Sequence, residues 1–150
     1  MIEVTSDTEM QNLGEKIGKL LQGGEVIELI GEVGAGKTTF VRGLARGMGV
    51  SETVQSPSFT INRVYDADSG RRLVHYDFYR LNDAGIMANE LEESVNDSNT
   101  SVVIEWANAV EQVLPDDRLS ITIISPTETS RQLSLTSGGE KSSKLAEVTL

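Results

Sequence analysis

The sequence predicts an α/β fold: a three-layer sandwich of helices around a largely parallel sheet, with antiparallel edge strands. Three observations carry this. First, Glu25-Val26-Ile27-Glu28-Leu29-Ile30 is a β-branched run of strand length. Second, it leads into Gly31-Glu32-Val33-Gly34-Ala35-Gly36-Lys37-Thr38, the G-x-x-x-x-G-K-[ST] spacing of a phosphate-binding loop. Third, the segment after the loop spaces Phe40, Val41, Leu44 and Met48 on one helical face. Strand, glycine-rich loop and helix together form the P-loop NTPase-type unit, which builds parallel sheets.

The remaining elements follow in order. Ser6 and Glu9 form a capping box, and Met10, Leu13, Ile17, Leu20 and Leu21 then make an apolar helical stripe that ends at Gly23-Gly24. Beyond the P-loop helix, Gly47 and Gly49 close the element, and a polar loop leads to Ser56-Pro57-Ser58. Phe59 to Tyr65 and Arg71 to Asp77 read as two strands joined by the turn-rich Asp66-Ala67-Asp68-Ser69-Gly70. A short helix is expected from Asn82-Asp83 towards Leu91. Ser101-Val102-Val103-Ile104 is an apolar strand ending at Glu105-Trp106, followed by a helical turn to Val113. Leu119 to Ile124 and Gln132 to Thr136 alternate apolar and polar, so each has one wet face, and they are expected to add an antiparallel edge. The tail after Gly138-Gly139 is expected to fray.

Length and composition narrow the function. With 150 residues, the chain is expected to form a single P-loop domain over residues 1–150, large enough for one core. No apolar run reaches membrane-spanning length, and the first residues lack the basic and apolar regions of an export signal. The absence of cysteine excludes disulfides, thiolate metal sites and cysteine nucleophiles. A formal net charge of −10 argues against holding a nucleic acid directly, although Arg63, Arg71 and Arg72 could form a local basic patch. ATP chemistry without an export signal points to the cytoplasm.

Each position of the loop has a physical task. Gly31, Gly34 and Gly36 let the backbone approach a polyphosphate. The N–H groups of Val33, Gly34, Ala35, Gly36, Lys37, Thr38 and Thr39 then form an anion nest. Lys37 reaches the β- and γ-phosphates, and the Thr38 hydroxyl ligates Mg²⁺.

Hydrolysis also needs an acid to hold Mg²⁺ and a group to orient the attacking water. Glu105 and Asp77 each end a strand, the place where ligands gather in open α/β sheets. Ser56-Pro57-Ser58-Phe59-Thr60 offers three hydroxyls in a stretch able to cover the γ-phosphate as a switch. His75 reads as a packed strand residue more often than a catalyst, Trp106 as core more often than a cofactor stack, and Arg80 as a salt-bridge partner more often than a group compensating phosphate charge. No N-K-x-D element selects guanine, and no arginine-rich lid is evident.

These motifs together resemble the bacterial ATPase subunit of tRNA threonylcarbamoyladenosine biosynthesis, the TsaE/YjeE family, from the N-terminal helix to about Ile124. Gly31 to Thr39 is similar to its P-loop, and Ser56-Pro57-Ser58-Phe59-Thr60 to its S-P-T-[FY]-T switch. His75-Tyr76-Asp77-Phe78-Tyr79-Arg80-Leu81 is similar to its H-x-D-x-Y-R-L motif, and Ile104-Glu105-Trp106 to its I-E-W motif. The departures are Ser58 in place of Thr, a segment from Ala84 to Val95 that lacks the usual glycine-containing pattern, and Ala107-Asn108-Ala109 in place of a glycine-bearing loop.

The resemblance implies an ATPase using ATP and Mg²⁺ that cycles a complex of two partners. One is a threonylcarbamoyl-transferase subunit and the other its structural sibling, with tRNA met only through the complex and no membrane involved. It further implies Thr38 and Glu105 as Mg²⁺ holders, Asp77 and Lys37 in hydrolysis, and Asp7 and Ser58 near the nucleotide. The alternatives are a nucleotide-gated binding module without essential hydrolysis, and a small-molecule phosphotransferase.

Overall fold

A computed structural model describes residues 1–57, 61–79 and 85–148. Its strands are β1 (Ile2–Val4), β2 (Val26–Ile30), β3 (Asn62–Asp66), β4 (Arg72–Asp77), β5 (Thr100–Glu105), β6 (Leu119–Ile124) and β7 (Arg131–Ser137). Its α-helices are α1 (Asp7–Leu20), α2 (Lys37–Met48), α3 (Ile86–Asn96) and α4 (Glu140–Ala146), with a 3-10 helix at Ala107–Val113. One seven-stranded sheet runs in the order β1-β7-β6-β2-β5-β4-β3. Its centre, β6-β2-β5-β4, is parallel, while β3 on one side and β7 and β1 on the other are antiparallel.

The sheet separates two apolar clusters, because side chains alternate faces along a strand. Ile27, Leu29, Leu73 and Val103 pack against Leu13, Ile17, Phe40 and Leu44 of α1 and α2. Val26, Val74, Tyr76, Val102 and Ile104 face Leu91 of α3 and Val110 of the 3-10 helix. Helix, sheet and helix are the three layers expected.

α1 begins as its sequence requires: Ser6 is extended and its hydroxyl accepts the Glu9 N–H at 3.1 Å. Helices α1 and α2 run parallel, with Gln11 opposite Gly43 and Glu15 opposite Gly47. Their separation is set by glycine: a Cβ on Gly43 would stand 2.0 Å from the Gln11 carbonyl, and one on Gly18 2.2 Å from that of Leu44. Arg46 fastens the outer edge of the pair, its Nη2 lying 2.7 Å from Glu15 Oε2.

Three expectations need correction, and one strand was not foreseen. Leu119 to Ile124 is not part of the antiparallel edge: β6 pairs parallel with β2, and only β7 turns back on it. The periodicity of a half-wet strand is the same in either direction, so the pattern could not decide this. The tail does not simply fray, since α4 forms after Gly139 and buries Leu145. Asp117 anchors its start by accepting from Lys141 N, Ser142 N and Ser142 Oγ. Ile2–Val4 adds an unforeseen strand beside β7. Trp106 is only partly buried and borders a cavity instead of sitting in the core. The expected helix start at Asn82-Asp83, and Arg80, lie outside the described residues; α3 is seen from Ile86.

Candidate functional site

The phosphate-binding loop spans the gap between β2 and α2, and its backbone takes the shape that glycine allows. Gly34 has φ 85° and Gly36 has φ 103°, both in the left-handed region. The first helical turn therefore opens with Gly36 at the N-cap, and no side chain caps it. Ala35 is buried under the loop, donating to the Glu32 carbonyl at 3.0 Å.

Lys37 opens α2 and is itself buried. Its ammonium donates to the Gly31 carbonyl at 2.6 Å and lies 3.7 Å from Glu105 Oε1. The Trp106 ring covers it at 4.2 Å from the ring centroid, a cation–π contact. This lysine is thus held at the loop by a carbonyl, a carboxylate and an aromatic face.

The two acids come from neighbouring strand ends. β4 and β5 pair in parallel with Asp77 opposite Glu105, so both carboxylates stand on the same rim, and both are buried. Asp77 accepts the Tyr79 N–H at 2.9 Å. Glu105 Oε2 lies 2.5 Å from His75 Nε2. Tyr79 and Trp106 contact each other with ring centroids 4.8 Å apart.

Backbone strain gathers beside these acids. Among the described residues, the non-glycine positions of positive φ are Ile61, at 69°, and Trp106, at 56°. Trp106 directly follows Glu105, and the Ile61 carbonyl accepts the Asp77 N–H at 2.7 Å. Such conformations cost of order 1–3 kcal/mol each and persist where the surroundings impose them.

These groups border one cavity of about 780 Å³, which is large enough for a nucleotide-sized ligand. Gly34, Gly36, Lys37, Thr38, Asp77 and Glu105 line one part of it, and Val33, Thr39, Ser56, Tyr79 and Trp106 complete that wall. The other wall carries Thr5, Ser6, Asp7 and Met10 from the start of α1, with Glu128, Thr129 and Arg131 from the approach to β7. The expected site residues Asp7, Val33, Gly34, Gly36, Lys37, Thr38, Thr39, Asp77 and Glu105 are therefore brought together. Ala35 supports the loop from below. Ser58, with Phe59 and Thr60 of the switch, lies outside the described residues.

Arg131 was not foreseen. Its Nε donates to the Ala35 carbonyl at 3.1 Å, and its Nη1 ties the carbonyls of Thr127, Glu128 and Ser130. The loop and this arginine are 96 residues apart, so only the fold joins them. His75 was foreseen as a packed residue; it is buried as expected, but it also carries a hydrogen bond to Glu105.

Comparison with known proteins agrees with this geometry. Residues 4–133 match the family model described as "Threonylcarbamoyl adenosine biosynthesis protein TsaE". The TsaE protein of Streptomyces coelicolor is 42% identical over 115 residues, covering 76% of this chain and 78% of that one. The TsaE protein of Bacillus subtilis is 38% identical over 124 residues, covering 83% of this chain and 77% of that one. The crystal structure of Bacillus subtilis YdiB superposes with a TM-score of 0.79 at 30% identity, covering 97% of this chain and 89% of that one. The chain belongs to the TsaE family of tRNA threonylcarbamoyladenosine biosynthesis.

Proposed function

We propose that the chain is a Mg²⁺-dependent ATPase, slow by itself and completed by a threonylcarbamoyl-transferase subunit and that subunit's structural sibling in the cytoplasm. The observation that carries this is the convergence of Lys37, Thr38, Asp77 and Glu105 on one wall of the cavity. A P-loop by itself only binds phosphate; two buried carboxylates beside it add the means to hold a cation and orient water.

The residues suit Mg²⁺. Among the described residues no group of three or more His, Cys, Asp or Glu side chains could hold a metal ion. Mg²⁺ does not need such a cage, since it is usually held by one or two protein oxygens together with phosphates and waters. In this reading, Thr38 and Glu105 are those protein ligands. Bound Mg²⁺ would neutralise charge developing on the phosphates.

The chain's own groups do the rest. Loop N–H groups bind the phosphates, and Lys37, now held by Gly31, Glu105 and Trp106, has its charge balanced until a phosphate competes for it. Asp77 orients the attacking water. Asp7 at the start of α1 borders the nucleoside portion, and Ser58 belongs to the switch over the γ-phosphate. The need for partners follows from charge: among the described residues, the arginine that borders the cavity is Arg131, and it is occupied with backbone carbonyls. With a net charge of −10, contact with tRNA is made through the partners.

The test is phosphate release by the chain alone and with both partner proteins, with and without Mg²⁺. Release that is slow alone and rises at least about tenfold with partners is expected; arginine supplied in trans gives 10³–10⁵ in other P-loop enzymes. Brisk turnover unchanged by partners would overturn the proposal. Glu105→Ala should weaken Mg²⁺-dependent affinity and turnover together. Asp77→Ala should retain binding and lose turnover, which separates hydrolysis from nucleotide-gated binding.

A further inference from the structure

The two oxygens of Glu105 have different neighbours. Oε1 stands 3.7 Å from the Lys37 ammonium at the cavity. Oε2 is 2.5 Å from His75 Nε2, behind the cavity wall. His75 is fully buried on β4, where it pairs with Val103 of β5 and Arg63 of β3. It does not line the cavity, so it reaches the site only through Glu105.

We propose that His75 is a positioning residue, whose Nε2–H donates to Glu105 Oε2 and leaves Oε1 as the one oxygen presented to the cavity. The proposal rests on the Mg²⁺ reading of Glu105 given above.

The hydrogen-bond geometry sets the tautomer. Glu105 Oε2 is an acceptor, so the proton lies on Nε2. The ring's other nitrogen, Nδ1, is buried with no hydrogen-bond partner among the described residues. In the Nε2–H tautomer that atom is a bare acceptor, and under-satisfied buried acceptors are tolerated better than orphaned N–H groups. A ring flipped to place Nδ1–H elsewhere would bury a donor without a partner and leave Glu105 Oε2 unheld.

The consequence is control of denticity. A glutamate carboxylate turns freely about its last torsion. With both oxygens free, Glu105 could close on the nearby Lys37 in a two-oxygen contact, holding the lysine away from phosphate. It could also offer both oxygens to a cation that prefers near-octahedral coordination with retained waters. A donor on Oε2 removes both arrangements. Partners that orient a metal ligand from behind are typically worth 10–100-fold in metal affinity or activity.

The experiment titrates ADP into the full chain by calorimetry, with and without Mg²⁺, for the natural sequence, His75→Leu and His75→Gln. Leucine fills the space without a donor, whereas glutamine places an amide N–H close to the position of Nε2. His75→Leu is expected to lose at least about tenfold of the affinity that Mg²⁺ adds, with Mg²⁺-free affinity retained. His75→Gln is expected to recover most of that loss. Equal losses with and without Mg²⁺, or the same loss in both variants, would mean a purely structural histidine and overturn the proposal. So would a Mg²⁺ response that His75→Leu leaves intact. If the natural chain's ADP affinity does not respond to Mg²⁺, the Mg²⁺ reading fails first and takes this proposal with it. Should His75→Leu not fold, His75→Asn replaces it: its amide reaches only the place of Nδ1, and it must show the same Mg²⁺-specific loss.

Discussion

The two helical layers cover the same sheet by different means. On one face α1 and α2 meet backbone to backbone, with glycines at positions 14, 18, 43 and 47 leaving no room for a side chain between them. α1 buries Met10, Leu13 and Ile17, and α2 buries Phe40, Val41 and Leu44. On the other face α3 buries only Leu91, has no side-chain N-cap, and leaves Ile86 81% exposed. The difference follows from what each layer positions. The loop's N–H groups must be aimed to within about half an ångström, so the helix they open has to be rigidly seated. The strand-end acids are aimed by the sheet's own hydrogen bonds, so the helix behind them is attached more lightly, by buried Leu91 with Met87, Ala88 and Val95 half-buried beside it and Ser94 hydrogen-bonded to Tyr76.

The sharpest way to break this contrast is to insert a side chain between the tight pair. Gly43→Leu should cost more than about 3 kcal/mol of stability, because the obstacle is the Gln11 carbonyl and not a movable side chain. It should lose ADP binding in proportion, as read by urea denaturation and calorimetry. Retained affinity in a destabilised Gly43→Leu chain would show that the loop does not depend on the helix pair.

Lys37→Ala tests the loop without inserting anything between α1 and α2. It should weaken ADP affinity about 100-fold, or about 3 kcal/mol, since it removes a charged partner of the phosphates. The midpoint of unfolding should fall as well, because the Glu105 carboxylate loses the buried ammonium beside it, so affinity is compared under folded conditions.

On the loose face, Leu91→Ala should cost about 2–3 kcal/mol through the cavity it leaves. ADP affinity measured under folded conditions should stay within about twofold. A large loss of affinity would mean that both layers support the loop, and the contrast would disappear.

The smallest effect is that of pH on the clamp between α1 and α2. The Arg46 guanidinium hydrogen-bonded to Glu15 lowers that carboxyl below its ordinary value of 4.5. A group lowered in the folded state binds fewer protons there than in the unfolded chain. Its contribution is therefore complete above the ordinary value and fades as pH falls through 4.5 towards the lowered one. Urea midpoints compared between neutral and acid pH should show a smaller acid loss in Glu15→Gln than in the natural chain. Because Glu15 is at the surface, the difference should be slight.

Much of this was legible locally. The P-loop is a contiguous motif, and the strand-end positions of Asp77 and Glu105 follow from short apolar runs that stop at an acid. The N-cap at Ser6 was readable because Glu9, whose N–H it accepts, is three residues on. The Glu9 carboxylate reaches back to Thr5 N and not to Ser6 N, so the full capping box does not form. What sequence could not supply was contact over distance. Arg131 reaches the loop across 96 residues, and His75 reaches Glu105 across 30. The direction of β6 was hidden for a related reason: alternation reports which face of a strand is wet, not which neighbour it joins. α4 was missed because the cap that seats it, Asp117, lies 25 residues upstream of Ser142.

The parallel course of α1 and α2 has an electrostatic consequence. Each helix carries a macrodipole equivalent to about half a positive charge at its N-terminus. Both N-termini border the same cavity, so two like partial charges sit side by side; Asp7 and Glu9 in the first turn of α1 offset one of them, while the first turn of α2 carries no acid. Parallel dipoles in this arrangement repel, and the repulsion is greatest at the mouth they share. A polyanion there would quiet both at once. The folded chain should therefore gain stability from simple phosphate or sulfate at concentrations where chloride of equal ionic strength gives none, and the gain should shrink when Lys37 is replaced by alanine.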